Sequence, residues 1–241
     1  MTAGTAATVR VDTDATAHAA DVSLPFQPRR LTPSERSRRE LFVFLSPRNN
    51  RVVTVATILH LAIALRFEFD PSLVAYVERP RRMALSPKQD VDISFWTRDR
   101  SGQERHYLAI PNAGTMGSTS GTVSIRDREA LDEAAARHDL QLSYLTEREL
   151  TSELGQYAIA IELLPHVWAH RRLASRSIVR ERILGHLANS SCATLDQLFK
   201  LIDFPHDSVR AVVAAMVHDG SLSLVNYVAG NAVVSLEVRR A

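Results

Sequence analysis

Apolar residues follow different rhythms along this chain, and each rhythm predicts a different element. Between residues 54 and 69, "TVATILHLAIALRFEF" is apolar on nearly every side, which predicts a buried helix, ended at "DPSL". Short runs rich in β-branched and aromatic residues come next. "LVAYVERP" reads as a strand, "RRMALSP" as its neighbour, "DVDISFWTR" as a third and "RHYLAIP" as a fourth, with "DRSG" as the tight turn between the last two. After a Gly, Ser and Thr loop over residues 112–124, "IRDREALDEAAARHDL" has the period of an amphipathic helix, with Ile125, Leu131 and Ala135 inward. A strand "QLSYL" and a helix from "TERELTSELGQYAIAIELLPHVWAHRRL" follow. Helix, strands, helix, strand, helix is an α/β order with a mixed sheet.

Upstream, the first twenty or so residues are Ala, Thr and Asp without periodicity and are expected to be a disordered tail. In "PFQPRRLTPSERSRRELFVFL", Thr32 and Pro33 start a helix, Glu35 is its capping-box partner, and Leu41, Phe42 and Leu45 supply an apolar face. Its arginines, Arg29, Arg30, Arg36, Arg38 and Arg39, are either a solvated helix face or contacts to a DNA backbone, whose phosphates match guanidinium forks. From about Ser175 the pattern changes to three helices, "SRSIVRERILGHLAN", "TLDQLFKLI" and "PHDSVRAVVAAMVHDG", and then a hairpin from "SLSLVNYV" and "AVVSLEV" around "AGN". This is a winged-helix pattern. Its third helix, with His206, Asp207, Ser208 and Arg210 at its start, can enter a major groove, and protein contact is an equal alternative. The division predicted is a tail over residues 1–28, an α/β domain over 29–173 and a winged helix over 174–241.

Composition narrows the chemistry. The 241 residues are 45% hydrophobic, with one cysteine, Cys192, so neither an internal disulfide nor a cysteine zinc site can staple the fold. No apolar run is long enough to span a membrane and the N-terminus lacks a signal-peptide pattern, so no membrane contact and a cytoplasmic location are expected. Net charge is only +2. The lysines are Lys88 and Lys200 alone, which reflects either a GC-rich genome or a preference for phosphate-binding arginine. His166 and His170 share a helical i, i+4 spacing, but two histidines are a weak ligand set; with Arg171 and Arg172 beside them and Trp168 packed inward, a solvated or DNA-facing helix end is expected.

The stretches "RFEFDPSLVAYVERP", "VDISFW" and "EALDEAAARHDLQLSYLTERELTSELGQYAIAIELLPHVW", together with the winged-helix tail, resemble the TnsA family over roughly residues 40–238. TnsA is the endonuclease subunit of heteromeric transposases and cuts transposon 5′ ends. The resemblance implies a PD-(D/E)xK, restriction-endonuclease-like core over 29–173, and a site where carboxylates hold Mg²⁺ beside a lysine. It also implies double-stranded DNA at transposon ends, a DDE transposase subunit and an AAA+ transposition regulator as partners.

Set on the family's pattern, the site is degenerate. The helix glutamate falls on His60, the "PDF" aspartate on Asp92, and the terminal acid and lysine on Ala109 and Pro111. Histidine suits Mg²⁺ poorly, alanine binds no metal, and proline offers no proton. Asp92 remains as the single catalytic and metal-binding candidate, and Arg36, Arg38, Arg39, Arg171, Arg172 and Arg210 as DNA-binding candidates. The expectation is a pseudoenzyme that keeps DNA-end binding and complex assembly, with no cofactor, or Mg²⁺ if residual cleavage exists. Two alternatives stay open: an active nuclease in which Asp92 works with displaced acids such as Asp90, Asp99 or Glu104, and a winged-helix transcriptional regulator.

Overall fold

The capping box at Thr32 forms as its residues dictate. The Thr32 N–H donates to Glu35 at 2.8 Å, the Glu35 N–H returns to Thr32 Oγ1 at 3.2 Å, and helix α1 (Pro33–Arg38) starts there. A computed structural model describes residues 24–38, 40–117, 123–151, 153–190, 192–225 and 237–241. Contrary to the sequence expectation, α1 does not carry Leu41, Phe42 and Leu45. Those residues lie in strand β1 (Leu41–Ser46), paired antiparallel with β2 (Arg51–Ala56) across a turn in which Asn50 has φ 51°. The spacing 41, 42, 45 fits a helix, but "LFVFL" is also β-branched and aromatic, and "RVVTVA" five residues on supplies a matching strand.

Thr57 caps the apolar helix α2 (Ile58–Glu68), which ends before Pro71. Strands β3 (Leu73–Glu78), β6 (Phe95–Asp99) and β7 (Glu104–Ile110) form an antiparallel meander. After helix α3 (Arg128–Arg137), strand β10 (Leu142–Thr146) pairs parallel to β7, giving the mixed order β10-β7-β6-β3. The "DRSG" turn joins β6 to β7 as expected, with Gly102 at φ 85° and Asp99 accepting the Ser101 and Gln103 N–H groups. Two strand assignments change. "RMALS" is β4 (Arg82–Ser86), outside the main sheet, and it pairs with β5 (Gln89–Asp92). "DVDISFWTR" is therefore two strands, broken where Ile93 bonds the Arg81 carbonyl and Ser94 bonds Tyr107. The loop after β7 opens with a 3-10 turn at Asn112–Gly114, and β8 (Thr115–Gly117) pairs with β9 (Val123–Ile125); residues 118–122 between them lie outside the described residues.

One face of the sheet packs Tyr76, Phe95 and Leu145 against α2, α4 (Glu147–Thr151) and α5 (Leu154–His170). The other packs Leu108 and Ile110 against Leu131 and Ala135 of α3, while Leu24 and Phe26 cover Ala75, Val77 and Trp96. The result is an α/β fold with a mixed sheet between two covering layers.

The C-terminal part runs α6 (Arg176–Asn189), β11 (Ala193–Thr194), α7 (Leu195–Leu201), α8 (His206–His218), β12 (Leu222–Val225) and β13 (Glu237–Arg240), with strand order β11-β13-β12. The predicted "AGN" hairpin turn lies outside the described residues. Helix α8 is buried at Val209 and from Ala211 to Val217 because α5, α6 and α7 surround it. Ile159, Leu163 and Val167 of α5 belong to this C-terminal core, while Tyr157, Ala160 and Leu164 of the same helix belong to the sheet core. Among the described residues no helix is long and apolar enough to cross a membrane.

Candidate functional site

The positions singled out by the family pattern do not all meet: His60 and Ala109 lie on the side of Phe95, whereas Asp92 is drawn to Arg29 and Arg82. His60 stands in the first turn of α2, where Thr57 Oγ1 lies 2.8 Å from its Nδ1 and accepts its N–H at 3.3 Å; its ring is 6.0 Å from Phe95. Ala109, on β7, packs against the same cluster that holds Phe95. The side chain set against Ala109 is Ser94, whose Oγ accepts the Ala109 N–H at 2.9 Å in a buried position. Counting from the motif had assigned Asp92 to that place. The break between β5 and β6 moves it away, because a strand that bends no longer keeps the two-residue rhythm on which such a count depends.

Asp92 is taken up elsewhere. Its Oδ1 accepts from Arg29, in the segment that covers the sheet, and from Arg82 Nε on β4 at 2.9 Å. That pairing raises the Arg82 guanidinium further above its ordinary range. Pro111 is exposed just past β7 and opens the 3-10 turn, its carbonyl accepting the Gly114 N–H at 2.8 Å. The Asn112 backbone donates to Glu147 at 2.8 Å.

Of the acids that could have been displaced into a metal site, Asp90 lies exposed on β5 opposite Ala84, outside the main sheet, and the other two have structural partners. Asp99 caps the β6–β7 turn, and its hydrogen bond from Ser101, only partly opposed by burial, holds it below the usual carboxylate range. Burial pushes Glu104 up, but Arg98 and the Trp96 indole, donating at 2.7 and 3.0 Å, outweigh it and leave the carboxyl lowered. Among the described residues no group of three or more His, Cys, Asp or Glu side chains could hold a metal ion. A Mg²⁺ ion of the kind the family uses does not fit the residues present: a histidine tied to a cap, a serine, an alanine and a carboxylate already shared by two arginines.

The arginine candidates sit on three elements. Arg36 is exposed on α1; Arg38 ends that helix, and Arg39 lies outside the described residues. Arg171 ties the end of α5 to the β1–β2 turn, donating to the Pro47 carbonyl at 2.6 Å and to Asn50 Oδ1 at 3.1 Å while stacking 4.2 Å from the Trp168 ring. Arg172 is exposed beside it. Arg210 is half-buried on α8, 5.7 Å over Phe199, with a buried Nε that has no hydrogen-bond partner. The third C-terminal helix therefore opens only its first turn, His206 and Asp207, to a partner. His166 and His170 are half-buried, and burial, helped by Arg210 beside one and Arg176 beside the other, lowers both below their usual range. Trp168 is not packed inward; it borders a surface groove and donates its indole N–H to the Leu45 carbonyl at 2.9 Å.

The strongest polar cluster was not singled out by its chemistry. Glu68, the last residue of α2, is fully buried. Its carboxylate accepts from Ser46 Oγ, the Arg48 N–H, the Tyr76 hydroxyl and His218 Nε2 at 2.6, 2.8, 2.8 and 2.9 Å. Burial alone would raise its pKa, but the bonds from His218, Ser46 and Arg48 together win and hold it below the ordinary range. The signal was present in "RFEF", an acid flanked by phenylalanines within an apolar run, a place where a carboxylate survives only with partners. No family model matches this chain, and no curated protein matches it.

Proposed function

We propose that this chain is a non-cleaving, TnsA-like subunit of a heteromeric transposase. It keeps a nuclease-type core for docking on double-stranded transposon ends and for assembly with a DDE transposase and an AAA+ regulator. The observation that carries the reading is the order α2, β3-β6-β7, α3, β10, with β10 parallel to β7. That order supports a PD-(D/E)xK-type core, and on that reading Ser94 and Ala109, joined by a 2.9 Å hydrogen bond, stand where carboxylates would meet a metal. Three helices with a strand between the first two and a closing hairpin, in strand order β11-β13-β12, support a winged helix as the C-terminal part. Because α8 is enclosed, this winged helix serves protein contact better than base reading.

The test is a cleavage assay on transposon-end duplex with Mg²⁺ or Mn²⁺. No nicking above background is expected; robust nicking abolished by Asp92→Ala would overturn the reading. In parallel, anisotropy titrations over a range of salt concentrations should show phosphate-dominated binding, whose log–log salt slope drops by about 0.9 for each contacting arginine removed, Arg36 and Arg172 first. Binding indifferent to salt would remove DNA from the partners.

A further inference from the structure

The β1–β2 hairpin turns one face to α2 and α5 and the other to solvent. In its register Val43 lies opposite Thr54 and Leu45 opposite Val52, so these side chains share the outer face, and Leu41 joins them two residues from Val43. Leu41, Val43, Leu45 and Val52 are 40%, 64%, 44% and 56% exposed. Beside the β1 edge runs an apolar groove of about 420 Å³, with Leu61 and Leu65 of α2 and Ile161 and Trp168 of α5 in its lining, and Ile161 is 49% exposed. Strand β1 contains no charge, proline or bulge of the kind that keeps exposed strands apart.

We propose that this face is a homodimer interface, on which a second copy of the chain packs its own hairpin, face to face, about a two-fold axis near Val43. Leu41, Val43, Leu45, Val52 and Ile161 carry no charge themselves, and among the described residues the Arg171 guanidinium stands at the Trp168 end of the groove, so a two-fold axis near Val43 sets apolar side chains against apolar side chains on both copies. The area fits. The five exposed side chains present on the order of 400 Å² of apolar surface, roughly three quarters of the ~520 Å² that a ~65% apolar share of a standard ~800 Å² interface side amounts to, and the rest of the hairpin face and groove supplies the remainder. Edge-to-edge pairing is excluded at Leu45, whose carbonyl already accepts the Trp168 indole and whose flank α5 occupies. The inference does not rest on the transposase reading.

Sedimentation and light scattering at micromolar concentration should give a mass near twice 26.8 kDa. Val43→Asp, placed on an exposed side chain, should weaken dimerisation by roughly a hundredfold while circular dichroism and the melting temperature stay unchanged. Face-packed sheets lie about 10 Å apart, so Val43→Cys in a Cys192→Ser background should be joined between copies by a short bismaleimide. A monomeric wild-type chain overturns the proposal. So does a dimer that Val43→Asp leaves intact, a dimer without the cross-link at position 43, or an open assembly larger than a dimer.

Discussion

Replacing Glu68 tests whether its buried carboxylate joins the two parts of the chain. The residue lies at the end of α2, and its four donors come from the β1 end, the following turn, β3 and α8. Glu68→Ala strands all four. A hydrogen bond to a charged group is worth about 1.5–3 kcal/mol, but bonds sharing one carboxylate do not add. Breaking a buried charged site costs about 3–5 kcal/mol, and that is the expected loss. Against a typical total of about 5–15 kcal/mol this is a large fraction. Glu68→Gln is milder, about 1–3 kcal/mol, because an amide oxygen can keep the Arg48 and His218 bonds while the Ser46 and Tyr76 hydroxyls rotate to accept from its NH₂. Urea unfolding followed by far-UV circular dichroism measures both. Since the folded carboxyl is held below its ordinary range, its stabilisation is present above the unfolded value of about 4.3 and is lost as pH falls through the lower folded value. The wild type should therefore progressively lose its advantage over Glu68→Gln as pH falls below about 4.3. A Glu68→Ala cost under about 1 kcal/mol, or a wild-type advantage that does not change with pH, would refute the reasoning. Coupling between Glu68→Ala and His218→Ala should be at least about 0.5 kcal/mol in a double-mutant cycle, since they share one bond.

Gly220→Ala should destabilise by about 1–3 kcal/mol, because φ is 80° there and an added Cβ would overlap Pro71; a melting temperature equal to the wild type would contradict this. Glu78→Ala leaves the Arg51 guanidinium, which donates to both Glu78 oxygens at 2.9 and 2.5 Å, without its partner in a largely buried place, and should cost about 2–4 kcal/mol by urea titration. Asp92→Ala should cost less than about 1 kcal/mol, since its arginine pairs are part-exposed and open to solvent screening.

Where a local rule had a single solution, the sequence was enough: the Asp99 and Gly102 turn, the Thr32 and Glu35 cap, α2 ended before Pro71, and β7 followed by α3 and β10. It was insufficient where two solutions competed locally and a distant partner decided. "LFVFL" fits a helix face or a strand, and only "RVVTVA" settles it. The site count failed at Ile93 and Ser94, where pairing shifts from β4 to the main sheet, so the residue beside Ala109 is Ser94 and Asp92 meets Arg29 from 63 residues upstream. That long-range pair has no signature in spacing. The enclosure of α8, by contrast, was legible in "AVVAAMV", since a helix apolar all round is surrounded.

Helix α5 gives side chains to both hydrophobic cores, Ile159, Leu163 and Val167 to one and Tyr157, Ala160 and Leu164 to the other. A cut at residue 173, where the sequence pattern changes, would leave the upstream piece with a bare apolar stripe and the downstream piece without one wall. Heating should then melt the whole chain in one calorimetric transition. The C-terminal part is therefore not a self-contained cassette: transplanted without α5 it would lack one wall of its core, so an engineered exchange has to carry α5 or a replacement for it.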